Sequence, residues 1–118
     1  MGDYKDNCSS KCSYKPVYRG TSPAFMIMFP EDFDARTIDS AYLTFDQAGR
    51  TILEKDISSM DVDSEQPNVV VFTLSQDDTL SFRAGSVNYQ MRFKVGDLLY
   101  ATDEWNIEVK RILKDGQI

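Results

Sequence analysis

The sequence contains no histidine, only two cysteines and six isolated glycines. Without histidine, the most common general base and the usual partner of a Ser or Cys nucleophile are missing. Because the glycines are isolated, the chain has no glycine-rich loop that could hold a phosphate. No pair of acids is set apart from the predicted surface loops, as glycoside hydrolysis would require. We therefore expect that the protein is not an enzyme and uses no cofactor.

The two cysteines, Cys8 and Cys12, have three residues between them. A zinc site usually has a closer pair and two further Cys or His ligands, which this chain lacks. Only a site shared between subunits would complete four ligands. Two free thiols in a reducing compartment are the first interpretation, and a local or intersubunit disulfide and a shared metal are the alternatives. We predict no metal site within one chain.

Charge and hydrophobicity exclude two further classes of partner. Nineteen acids against thirteen bases give a net charge of −6, and the bases are scattered along the chain. Nucleic-acid binding depends on concentrated Lys and Arg, so we expect no nucleic-acid partner. The longest apolar run, residues 24–29, is far too short to span a bilayer. No secretion-signal pattern is found at the start, so we also expect no membrane partner.

Two acidic clusters, residues 31–34 and 61–65, raise the possibility of calcium binding. The second cluster has Gln66 where a helix-loop-helix calcium loop needs Gly, and Phe72 where it needs an acid. Because clustered charges are usually surface features, we interpret both clusters as solvated loops, with an irregular cation site as the alternative.

The clearest structural signal is the alternation of residues 86–95. The polar members predict a solvent-facing side and the apolar members a buried side, as in a strand of an antiparallel sheet. The apolar positions are Val87, Tyr89, Met91, Phe93 and Val95.

The segment before this strand predicts a short helix. Ser75 lies three residues before Asp78, which is the spacing of a capping box. A helix of one or two turns within residues 76–82 would carry Leu80 and Phe82 inward. The glycine that follows would let the chain turn into the next strand. We predict a corner here that crosses from one sheet to another.

The remaining periodic segments predict an all-β protein. Turns recur every eight to twelve residues, which favours an antiparallel β-sandwich of seven or eight strands, immunoglobulin-like, with one short helix. Residues 16–118 form the single sandwich domain in this interpretation. The other predicted strands are residues 24–29, residues 41–47 paired through Ala48-Gly49 with residues 50–55, a central strand at 68–74, and residues 98–102 and 105–112.

Residues 1–15 are polar and show neither the helical nor the strand period. An arm with so little apolar surface does not order by itself, so we expect that a partner chain holds it. The side chains proposed for this contact are Tyr4, Cys8, Cys12 and Tyr14.

The strand at residues 24–29 is apolar on both faces. Phe25, Ile27 and Phe29 lie on one face, and Met26 and Met28 lie on the other. Either the arm covers the methionine face, or the adaptable Met26 and Met28 dock a second protein.

Several motifs resemble the amino-terminal domain of phage baseplate upper proteins and similar minor structural proteins of phages and prophages of Gram-positive bacteria. The resemblance covers about residues 17–118 and implies a β-rich module that holds part of a tail tip together by protein contacts. The sequence departs from the pattern by its extra residues with two cysteines in front, and by ending where the family continues into a helical stalk. The matching motifs are RGTSP at 19–23, LTFDQ at 43–47, LSQDDTL at 74–80 with Phe82 and Gly85, and Val87 with Gln90.

The resemblance leads to the expected function. We expect a virion structural protein, made in the bacterial host cytoplasm, that docks other phage structural proteins in the tail or baseplate as a homo-oligomer or symmetric assembly. A capsid decoration or head-fibre protein is the alternative within the same class.

A carbohydrate-binding module at a fibre tip is the alternative from another class. Tyr42, Tyr89, Tyr100 or Trp105 would stack on a sugar ring beside acids that bind its hydroxyls. Tyr89 and Trp105 fall on the apolar sides of their strands, so we expect these two rings to be buried.

Overall fold

The computed structural model describes residues 16–118. The predictions for residues 1–15, including those for Tyr4, Cys8, Cys12 and Tyr14, lie outside the described residues. Residues 16–118 contain nine strands and one α-helix. The strands are β1 (Val17–Tyr18), β2 (Ala24–Met28), β3 (Ser40–Gln47), β4 (Arg50–Asp56), β5 (Met60–Val62), β6 (Val69–Thr73), β7 (Gly85–Val95), β8 (Leu98–Ala101) and β9 (Trp105–Lys110), and the helix is α1 (Gln76–Leu80).

The large sheet is organised around β7, the strand that the alternation of residues 86–95 predicts. On one side β7 pairs antiparallel with β3 along most of its length. On its other side β9 pairs with the first half and β8 with the second half. Strands β1 and β4 form the two ends of this sheet, in the order β1-β9-β7-β3-β4.

The small sheet has the order β2-β6-β5. The Val-rich β6 lies between two antiparallel neighbours, as a strand that is apolar on both faces predicts. Val70 and Phe72 point from β6 into the core and are fully buried.

The core lies between the two sheets, so the predicted β-sandwich is confirmed. Aromatic rings join the layers: Phe25 of the small sheet lies 5.3 Å from Phe45 and 5.0 Å from Tyr89 of the large sheet, measured between ring centroids. Phe29 lies 5.2 Å from Phe93 in the same way. Such edge-on aromatic pairs contribute about 0.5–1.5 kcal/mol each beyond the area that they bury.

The predicted corner between the sheets is also present. The Ser75 and Asp78 side chains each accept a hydrogen bond from the other residue's backbone N–H, so the capping box is complete. The Asp78 carboxylate also accepts from Lys55 Nζ at 3.0 Å, which ties the helix to β4. Phe82 is buried as predicted, whereas Leu80 is only half-buried.

Two strands add to the predicted set. β5 lies at the start of the acidic segment 61–65, where charge alone predicted a loop, because Met60 and Val62 alternate around Asp61 and pack against the core. β1 has only two residues and pairs parallel with β9, through Val17 and Val109. Such a short segment shows no period, so no strand was predicted there.

Candidate interaction surfaces

Strand β8 carries three consecutive exposed apolar residues. Leu98, Leu99 and Tyr100 are 61%, 62% and 44% exposed. We call these three residues the β8 patch. Natural edge strands are usually protected by charges, proline or a bulge, and the four residues of β8 contain no charge and no proline.

Local hydrogen bonds fix the β8 patch in place. Gly96, with φ +59°, begins the turn from β7. At the other end, the buried Thr102 donates its N–H to the Met91 carbonyl at 2.9 Å and accepts from Met91 N–H through its hydroxyl at 3.0 Å. Tyr100 stacks on Phe93, with 5.3 Å between the ring centroids. These contacts hold β8, and with it the exposed side chains, in a fixed position.

The outer face of the large sheet, which points away from the small sheet, carries a second candidate surface. Its centre is Tyr42 on β3, which is 45% exposed. Depressions of about 210 Å³ and about 280 Å³ lie on the two sides of this ring. The first is lined by Ser40, Tyr42, Arg92, Phe93, Lys94 and Leu99, and the second by Tyr42, Glu54, Lys55, Asp56, Ser58 and Ser59.

Strand register arranges the charges around Tyr42 in a row. Tyr42 pairs with Asp56 on β4 and with Arg92 on β7, so an acid, an aromatic ring and a base lie side by side across three strands. We call Asp56, Tyr42 and Arg92 the outer row. Hydrogen bonds from the Ser58 hydroxyl and backbone N–H lower the pKa of Asp56, so this carboxylate remains charged at neutral pH.

Arg92 and its neighbour Lys94 differ from the paired cations of this domain. Three ion pairs are found among residues 16–118, and neither Arg92 nor Lys94 belongs to one of them. Both side chains are exposed on the outer face. The outer row therefore presents a cation that no described acid neutralises.

Met26 and Met28 lie as predicted on the opposite face of β2 from Phe25 and Ile27. Met26 is 52% exposed and Met28 is half-buried. β2 is an end strand of the small sheet. These methionines and the β8 patch belong to different sheets and form separate surfaces.

The four aromatic residues considered for sugar binding do not form a row. Tyr89 and Trp105 are 9% and 6% exposed, so the expectation of burial is confirmed. Tyr42 pairs with the outward-facing Arg92, whereas Tyr100 pairs with the inward-facing Phe93, so these two rings lie on opposite faces of the sheet. Tyr42 alone combines an exposed ring with nearby acids.

Neither acidic cluster gathers ligands for an ion within the described part of the chain. Asp34 binds the Arg36 side chain and caps a short helical turn, and Asp63 accepts from the backbone of Glu65 and Gln66. Residues 16–118 contain no group of three or more His, Cys, Asp or Glu side chains placed to hold a metal. None of the helices described is long and apolar enough to cross a membrane.

Comparisons with known proteins inform the fold alone. No protein-family model matches the chain, and no curated protein matches it. The chain is similar in structure to CopC from Methylosinus trichosporium OB3b. The TM-score is 0.52 at 10% sequence identity, over 86% of this chain and 89% of the CopC chain. At this identity the similarity extends to the arrangement of strands and not to function.

Sequence reasoning predicted β8 as a strand but missed its exposure, and it named Tyr42 without the Asp56 and Arg92 that lie beside it. The Leu-Leu-Tyr run of β8 has no polar alternation and is equally compatible with a buried strand, so it does not predict exposure. The outer row depends on the register between β3, β4 and β7, and no local pattern encodes that register.

Proposed function

We propose that this chain is a structural protein of a phage or prophage virion, and that it acts as a docking module of the tail or baseplate through protein contacts. The observation that supports this function best is the β8 patch. Its exposed apolar side chains lie on an edge strand that hydrogen bonds hold in place and that carries no charge or proline. Such a strand suits a partner that adds a strand or covers the apolar side chains.

The fit between this surface and a protein partner follows from its chemistry. The β8 patch presents Leu98 and Tyr100 on one face of the strand and Leu99 on the other, and Arg92 and Lys94 of β7 lie on the same face as Leu99. Interfaces are enriched in aromatic residues and arginine, with apolar centres and polar rims. The surrounding chain offers a rim of this kind. Residues 16–118 contain no histidine and no group of three or more His, Cys, Asp or Glu side chains placed to hold a metal.

The viral part of the proposal rests on the sequence motifs of the corner and of the first turn. The structure gives these motifs a physical role that agrees with a shared fold. Arg19 donates to the carbonyls of Phe82 and Leu80, so the RGT segment and the LSQDDTL corner lie against each other. The contact gives both motifs a structural role in this chain, and the viral assignment itself still depends on the sequence resemblance.

Two alternatives keep their place in the proposal. A capsid decoration or head-fibre protein would use the same surfaces at another position in the particle. A carbohydrate-binding module has one observation in its favour, which is Tyr42 beside Glu54 and Asp56. A single exposed ring supports sugar binding less strongly than the three exposed residues of the β8 patch support protein docking.

The test begins with purified particles of the encoding phage, separated into tails and capsids. Mass spectrometry of each fraction would detect the tryptic peptide that ends at Arg83. Recovery with tails supports the docking function at the tail or baseplate, recovery with capsids supports the decoration alternative, and absence from both contradicts the virion proposal.

A variant then tests the surface. Leu98→Asp should reduce incorporation into particles by at least about tenfold, since the introduced charge would be desolvated in an apolar contact without a partner, and Leu98 lines neither depression of the outer face. Leu113→Asp is the matched control, because Leu113 is 93% exposed but lies in the segment after β9, away from the patch. Equal incorporation of both variants would show that the β8 patch does not dock the neighbour.

A further inference from the structure

We propose that two copies of this chain pair through the outer faces of their large sheets, about a two-fold axis that runs along β3. The pairing deepens the proposed docking function by naming a second copy as one partner. It rests on the outer row, although Leu99 of the β8 patch lines one of the two depressions beside Tyr42, and it is tested with the purified chain alone. Its failure would therefore leave the proposed function open.

The order of charges on the outer face is the first argument. From β4 through β3 to β7, the outer row reads acid, aromatic ring, base, all at one level along the strands. A two-fold axis along β3 places β4 of the second copy over β7 of the first. Asp56 of the second copy then lies over Arg92, and Arg92 of the second copy lies over Asp56. One operation thus forms two ion pairs.

The charges available for these pairs support the same arrangement. Arg92 has no ion-pair partner among residues 16–118. Both described hydrogen bonds to the Asp56 carboxylate, from the Ser58 backbone and hydroxyl, go to Oδ1. Oδ2 is therefore left to accept from a guanidinium. On a chain with a net charge of −6, Arg92 is a cation suited to attract the acidic side of another copy.

The shape of the outer face is the second argument. Tyr42 stands between two depressions of about 210 Å³ and 280 Å³. Near a two-fold axis along β3, the two Tyr42 rings pass each other, and each enters a depression beside the other ring. A ridge with a groove on both sides is complementary to a copy of itself, which is the requirement of an isologous interface.

The size of the face sets the expected strength. Strand β3 has eight residues, so it is about 27 Å long, and four strands span about 15–20 Å. The area given by these two dimensions is smaller than the roughly 800 Å² that each partner buries in a standard interface. Most side chains of the face are polar, so we expect a dimer that dissociates in the micromolar range.

The experiment is sedimentation velocity of the purified full chain over a concentration series, with reductant present so that Cys8 and Cys12 form no intersubunit disulfide. Asp56→Arg places two arginines together, and Arg92→Asp places two aspartates together. Each single variant should be monomeric and weaken association by at least about tenfold.

Combining the two charge-reversal variants tests whether the ion pairs, and with them the association, can be restored. An equimolar mixture of the two variants should form heterodimers, because the arginine introduced at position 56 of one chain then faces the aspartate introduced at position 92 of the other. The double variant D56R/R92D should dimerise by itself. Rescue in the mixture also demonstrates that both variants are folded, which matters because Asp56 caps a helical turn.

Matched controls change the same charges elsewhere. Asp32→Arg and Arg83→Asp alter exposed residues away from the outer row and should leave association unchanged. The proposal is overturned if the wild-type chain remains monomeric at about 1 mM, if the single variants still dimerise, or if the mixture stays monomeric.

Discussion

The Asp78 carboxylate connects the helix, the corner and β4, so its removal tests the structure in several places at once. In the folded chain it accepts from Ser75 N–H at 2.9 Å and from Lys55 Nζ at 3.0 Å. The side chains of Asp78 and Lys55 are 14% and 22% exposed. Loss of this carboxylate breaks half of the capping box and leaves a mostly covered ammonium without its acid.

The expected cost of Asp78→Ala follows from these two contacts. The hydrogen bond from Ser75 N–H to the Asp78 carboxylate, which is the half of the capping box that is lost, contributes about 1 kcal/mol. Removing the partner of Lys55 costs about a further 1–2 kcal/mol, less than for a fully buried pair because water still reaches the ammonium. We therefore expect the free energy of unfolding to fall by about 2–3 kcal/mol, which lowers Tm by roughly 10–15 °C for a domain of this size.

The pH dependence provides a separate check with a definite sign. Burial alone would raise the pKa of Asp78, but hydrogen bonds from Ser75 and Lys55 and the charge of Lys55 outweigh it and hold the pKa below its ordinary value. Because the folded pKa is lower than the unfolded pKa, the carboxylate stabilises the fold above about pH 4–5. This stabilisation is lost as the pH falls through the folded pKa. Asp78→Asn should therefore be less stable than wild type at neutral pH, and the difference should shrink in acid.

The assay is urea unfolding followed by the emission of Trp105, which is the single tryptophan of the chain and is buried. Asp77→Ala is the control, because Asp77 lies in the same first turn but takes no part in the capping box. It should lower the free energy of unfolding by no more than about 0.5 kcal/mol. If both alanine variants lose the same stability, the Asp78 contacts do not contribute as argued.

Two further substitutions test the hairpin and the core. Ala48 has φ +56° beside Gly49 in the two-residue turn between β3 and β4, so Ala48→Asn should stabilise the fold by about 0.5–1 kcal/mol in urea unfolding, and no gain would contradict a strained turn. Phe45 is fully buried and contacts the rings of Phe25 and Tyr89, so Phe45→Ala should lower the free energy of unfolding by about 3–5 kcal/mol. Phe45→Leu should retain most of the stability, which would show that the loss depends on the side-chain volume that is removed.

Local patterns predicted the parts of the fold that neighbouring residues determine. The alternation around Tyr89 predicted β7, and the Ser75 to Asp78 spacing predicted the helix start, because each signal depends on contacts a few residues apart. The outward direction of Met26 and Met28 followed from the same period. The pairing of β1 with β9 joins distant segments, and no local pattern records it.

The exposure of the β8 patch could not be predicted for a different reason. A run of Leu-Leu-Tyr is compatible with a buried strand, and only the opposite layer decides its environment. The strands β2 and β6 have five residues each, whereas β7 has eleven. Even so, Phe93 on the end of β7 that carries β8 is buried against Phe29 and Phe33. The covered area therefore ends at β7 and leaves β8 open, and this boundary depends on how the two sheets are aligned.

The parallel contact of β1 with β9 brings the first and last strands of the described domain side by side. During synthesis on the ribosome, β1 is made first and has no strand to pair with until β9 has left the exit tunnel. The large sheet therefore cannot be completed during most of synthesis. The same contact means that the domain begins and ends at neighbouring points. A longer polypeptide could carry it as an insertion without separating the flanking segments.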